Sequence, residues 1–228
     1  MIGIGIAVLI LGACIPFIAG RFGKILPADP GVILLSLWHK PRFPKPDDVQ
    51  RARLLHKKWM KLWAFSAFWG LVMLALYGIT YCYIPSDLLP WGLIFLFLVA
   101  FCIVVDTQYC LLPDFFTIPL LVLGFGMAAY TDALSVQTAF SGAVFGYLLA
   151  TISVLLMGLF RQVEFGAGDV KMMTAVGAWL GAFGLNYALL VSFFLFALQT
   201  VGLKRKVGPY GPALGIASIL VFLIMYIR

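Results

Sequence analysis

Apolar runs of 18 or more residues recur along the whole chain, broken by short polar stretches. A helix of that length crosses a hydrocarbon layer roughly 30 Å thick. The pattern predicts eight such spans, at about 2–19, 63–83, 88–105, 114–130, 137–160, 170–183, 185–202 and 210–227. The expected fold is therefore all-α, a polytopic bundle of membrane helices. The sixth span is short, and it is divided from the seventh at Gly184. A single long helix over 170–202 is the alternative.

Composition agrees with lipid as the solvent. Residues AVILMFWYC make up 63% of the 228 positions and charged residues 11%, against about 25% charged in soluble domains. The few charges also test the number of spans, because Lys and Arg collect in cytoplasmic loops. Eight spans threaded from an outside amino terminus place 20–62, 106–113, 161–169 and 203–209 inside. With the adjacent Lys171, these loops hold every Lys and Arg except Arg228. The outside loops carry Asp87 and Asp132 and no cation. Both termini are thus expected outside. Arg21 and Lys24 follow the first run and no cation precedes it, which predicts a retained span and not a cleaved signal.

Ten of the sixteen basic residues and three acidic ones fall between Gly20 and Lys61, so the net charge of +7 resides in that loop. In a membrane protein such a loop meets anionic headgroups, and nucleic acid is not an expected partner. Asp47 and Asp48 are placed to cap a short interfacial helix, VQRARLLHKKW, in which Leu55 and Trp59 interleave with cations. Cys14, Cys82, Cys102 and Cys110 form no CxxC pair, and His39 and His56 have no acidic or thiol partner at ligand spacing. No metal site and no disulfide framework is predicted.

Intramembrane carboxylates are rare, since one at mid-span costs about 2.5–3.5 kcal/mol on insertion scales. Asp106 follows the third predicted span and Asp169 precedes the sixth. The topology brings both to the cytoplasmic boundary. Asp169 stands in Phe165-Gly166-Ala167-Gly168-Asp169-Val170-Lys171, where two glycines permit close backbone approach. A plain helix N-cap is the alternative role for Asp169. Asp114, in Leu112-Pro113-Asp114, competes as the partner acid, but Pro followed by Asp fits a turn entering a helix, and capping is the reading adopted for it. Glu164 and Arg161 are expected to pair with each other or with water. Two carboxylates held close share one proton, so that one member serves as general base towards water and the other as general acid towards a peptide carbonyl.

These residues resemble the type IV prepilin peptidases, membrane proteases with a GxGD motif. The matching pieces are Asp106 followed after six residues by Pro113-Asp114, then Gly166-Ala167-Gly168-Asp169-Val170-Lys171 with Val176-Gly177-Ala178-Trp179-Leu180-Gly181, then Gly208-Pro209-Tyr210-Gly211-Pro212. The resemblance implies that Asp106 and Asp169 are the catalytic pair, that Gly166, Gly168, Lys171, Pro113 and Asp114 shape the site, and that the enzyme is an aspartic-type endopeptidase of the inner membrane facing the cytoplasm. Its implied substrate is a prepilin or pseudopilin, cut between a short basic leader and the apolar helix that follows. Proteolysis of this kind requires no cofactor. Larger members resemble two-function enzymes that also methylate the new amino terminus with S-adenosylmethionine, and many carry CxxC pairs in the first cytoplasmic loop. Loop 20–62 has no Cys, so methylation is not expected.

The chain divides on this reading into an N-terminal hairpin with its basic loop, 1–87, and a six-helix peptidase core, 88–228. Two rival classes use the same features. Paired acids also serve as proton or cation relays in transporters. A non-catalytic scaffold subunit of a pilus or secretion machine would use small-residue pairs such as Gly142/Gly146 and Gly177/Gly181 for helix contacts, although internal packing is the reading preferred for them. The oligomeric state is left open by the sequence.

Overall fold

The computed structural model describes residues 2–22, 62–109, 112–160, 167–202 and 209–227. Among them the chain is helical throughout: α1 (Ile2–Phe22), α2 (Leu62–Tyr83), α3 (Leu89–Tyr109), α4 (Asp114–Tyr130), α5 (Val136–Phe160), α6 (Ala167–Gly202) and α7 (Gly211–Tyr226). Five of these, α1, α2, α3, α5 and α6, are long and apolar enough to cross a membrane, and α4 and α7 are shorter apolar helices. The proposed interfacial helix, the Arg161 and Glu164 pair, Gly166, Cys110 and both histidines lie outside the described residues.

The predicted break near Gly184 is found three residues earlier. Gly181 has φ 67° and ψ 177° inside α6, a backbone region open essentially to glycine alone. The chain reverses there. A Cβ on Gly142 would touch both Gly177 and Gly181, and one on Gly146 would meet both the Met173 carbonyl and Leu185. Met173 and Leu185 thus lie at one level of α5, which a straight helix would hold about 18 Å apart. Gly184 has a different task. It lets α6 press on α7, since a Cβ there would lie 2.6 Å from Met225 Sδ.

α3 forms the centre of the bundle. Phe95, Leu96, Val99, Ala100, Cys102, Val104 and Val105 are fully buried. Phe95 packs on Trp179 of α6 and Phe222 of α7, with ring centroids 5.0 and 4.6 Å away. The Trp179 indole donates to the Leu120 carbonyl of α4 at 2.7 Å, and Tyr226 donates to the Trp179 carbonyl at 3.0 Å. These bonds satisfy polar groups where lipid offers no partner. The outer faces are apolar instead of charged: Phe68, Leu71, Phe140, Leu155, Phe193, Phe194, Leu198 and Ile224 are all exposed. A surface of that kind belongs against acyl chains.

Glycines set the closest helix approaches. Gly142 and Gly177 face each other, each so near the other's carbonyl that neither site has room for a methyl group. The small-residue pairs therefore act in internal packing. α1 and α2 cross in the same way. A Cβ on Gly12 would lie 2.7 Å from Met73 Cβ, and one on Gly70 would lie 3.2 Å from the Leu9 carbonyl oxygen. Ser66 adds a hydrogen bond to the Ala13 carbonyl across that crossing.

Candidate active site

The last turn of α3, the first turn of α4, the start of α6 and the start of α7 meet at one end of the bundle. Asp106 comes from the first of these. The predicted third span ended at Val105 with Asp106 in a loop, but α3 continues to Tyr109 and Asp106 is helical. It is also buried, at 5% exposure. Asp169 comes from the first turn of α6, partly buried. The two carboxylates stand near enough for their charges to act on each other.

Asp106 is closed in from behind by α7. The Gly211 amide approaches its carboxylate. A Cβ on Gly211 would lie only 2.5 Å from Asp106 Oδ2 and 2.9 Å from Cγ. Even so, Oδ2 is buried and has no hydrogen-bond partner among the described residues. Buried polar atoms in folded proteins are nearly always satisfied, so an exception at a carboxylate calls for a reason in catalysis, strain or bound solvent.

Gly168 brings the α6 turn onto the α4 turn. A Cβ there would lie 2.7 Å from Leu112 Cβ, so glycine is needed for contact and not for unusual backbone angles. Pro113 is the N-cap residue of α4, with extended backbone (φ −74°, ψ 139°) and no side-chain cap. The capping role expected of Asp114 is therefore corrected. Asp114 lies inside the first turn, and its carboxylate turns to Lys171, with Nζ 2.5 Å from Oδ1. Lys171 thus pairs with Asp114. Among the described residues no group of three or more His, Cys, Asp or Glu converges as metal ligands would.

Three further residues line this end of the bundle without having been singled out by sequence. Tyr210 shares a 2.5 Å hydrogen bond with Ser192 of the returning arm of α6, and it feels the charge of Asp169. Gly211 follows it. Tyr210 and Gly211 stand in the Gly208–Pro212 motif, which was a sufficient signal; Ser192 has none, being one hydroxyl in an apolar run.

An apolar helical bundle that brings two acids together at one end defines a helical membrane protein with a pair of neighbouring carboxylates. Residues 93–201 match the model of the type IV leader peptidase family, and the chain is similar to that family through this region. The matched stretch includes Asp106, Asp114, Gly168, Asp169 and Lys171. Relatives named prepilin leader peptidase/N-methyltransferase agree. That of Dichelobacter nodosus is 34% identical over 130 residues, covering 55% of this chain and 45% of its own. That of Neisseria gonorrhoeae is 35% identical over 124 residues, covering 51% and 42%. That of Aeromonas hydrophila is 34% identical over 140 residues, covering 56% and 48%. The chain thus spans a little under half the length of these relatives. No solved structure matches it.

Proposed function

We propose that this protein is an intramembrane aspartyl endopeptidase that removes the basic leader from type IV prepilins or pseudopilins, with Asp106 and Asp169 as the catalytic pair. The observation that carries the reading is a buried carboxylate, Asp106, which has an oxygen without a partner among the described residues and lies beside a second acid. Like charges so placed cannot both ionise easily, so the pair holds one proton. The ionised carboxylate takes a proton from water as that water attacks the scissile carbonyl, and the protonated one donates to the developing oxyanion. The tetrahedral diol then collapses as its C–N bond breaks, the leaving nitrogen taking the proton that the first carboxylate drew from water, and no step needs a nucleophilic side chain. The topology proposed with it has eight crossings, α6 supplying two by its reversal at Gly181, with both termini outside and the acids at the cytoplasmic face of the inner membrane. Residues 88–228 are the peptidase core, and 1–87 add a hairpin whose basic loop rests on anionic headgroups.

The test is cleavage of a prepilin leader substrate by purified protein, compared with Asp106→Asn and Asp169→Asn. Either substitution is expected to abolish cleavage while the protein still inserts and folds. Full turnover by either variant would remove the mechanism. Proteolysis by this scheme needs no cofactor. Labelled S-adenosylmethionine in the same reaction is expected to leave the product unlabelled, because loop 20–62 has no Cys.

A further inference from the structure

Two contacts of different chemistry join the same pair of turns. Lys171 Nζ meets Asp114 Oδ1 at 2.5 Å. Three residues earlier on α6, Gly168 rests on Leu112, two residues before Asp114. Asp169 lies between these two points of attachment. Asp114 suits the first turn of α4, where the dipole favours an acid. Lys171 stands one turn into α6, near the end where the dipole disfavours a cation. Its partner is Asp114, 57 residues away. The side chains are 46% and 36% exposed, and ion pairs so open to solvent add little to stability. What such a pair does supply is direction: it holds the α6 turn at one angle on the α4 turn.

We propose that the Lys171–Asp114 pair is a positioning clasp, which together with the Gly168–Leu112 contact fixes Asp169 at its working distance from Asp106. This rests on the reading of Asp106 and Asp169 as the proteolytic pair. Lys171 and Asp114 act through Asp169 and not on the substrate. Released, the turn moves, and a displacement near 1 Å in a reacting group lowers turnover about a hundredfold. Because both residues serve one geometry, their loss is not additive.

The experiment is a double-mutant cycle on the full chain, with Lys171→Met, Asp114→Asn and both together, read by kcat and KM for a prepilin leader substrate. Each single variant is expected to lose about tenfold to a hundredfold in kcat with KM within about twofold, and the double variant no more than the worse single. Exchange of the charges, Lys171→Asp with Asp114→Lys, is expected to recover part of the loss. Wild-type kcat in either single variant, multiplicative losses, or a raised KM at unchanged kcat would overturn the clasp. Amide hydrogen exchange over 167–171 gives a readout free of catalysis. Both single variants should exchange faster there than the parent, and unchanged exchange would refute the clasp whatever the activity. A parent protein that fails to cut any leader, yet shows the exchange difference, would instead refute the proteolytic reading and leave the clasp standing.

Discussion

Gly211 leaves no room for a side chain beside Asp106: a methyl group there would stand 2.5 Å from Oδ2 and 3.2 Å from the Asp106 Cβ. The acid cannot easily yield, because α3 is packed on all sides at that level, with Cys102, Val104 and Val105 fully buried. Gly211→Ala is therefore expected to push the carboxylate out of line. On the proposed mechanism this lowers kcat on the order of a hundredfold. Leader cleavage by the purified variant checks it, and undiminished turnover would mean that the position of Asp106 is not critical.

The reversal in α6 gives a second prediction, in which two nearby glycines must behave differently. Gly181 holds a backbone conformation closed to other residues (φ 67°, ψ 177°), and a Cβ there would also lie 2.8 Å from Thr138 Cγ2. Gly181→Ala is expected to cost about 1–3 kcal/mol. Gly184 carries no such strain, and a Cβ there would meet the flexible tip of Met225 at 2.6 Å and the Leu180 Cβ at 2.8 Å. Gly184→Ala should therefore cost less than Gly181→Ala. Thermal unfolding of both variants in detergent micelles compares them; the opposite order would relocate the break to Gly184.

Much of this architecture was legible from hydropathy and charge alone. Apolar runs set the helices within a few residues, and α4 was placed without error at 114–130. The misplaced break has a physical cause. Hydropathy registers a glycine but not its φ, so Gly181 and Gly184 are indistinguishable until the contacts with Thr138 and Met225 are known. Asp106 was expected just past its helix because the apolar run stops there, whereas helical hydrogen bonding carries on through Thr107, whose hydroxyl bonds back to the Ile103 carbonyl at 2.6 Å. Local chemistry alone suits Asp114 to capping. Its partner, Lys171, is distant in sequence, and no rule of spacing reveals such a pair. Gly211 lay within a motif already noted, but a motif does not say which atom it faces.

The crossing of α5 on the first arm of α6 supplies the last prediction. Gly142 and Gly177 meet backbone to backbone, so a Cβ on either would strike the carbonyl of the other, and backbone cannot swing aside as a flexible side chain can. Gly142→Ala and Gly177→Ala should each force the helices apart, at a cost of about 1–3 kcal/mol. Once one methyl group has opened the crossing, the second finds space already made, so the double variant should lose less than the sum of the singles. The displaced arm carries Asp169 in its first turn. Leader cleavage should accordingly fall in all three variants even below their unfolding temperatures. Unfolding curves and cleavage rates measured on the same preparations separate the two effects. Strictly additive losses would mean that the two glycines do not share one contact, and full activity in a destabilised variant would uncouple this crossing from the position of the acid.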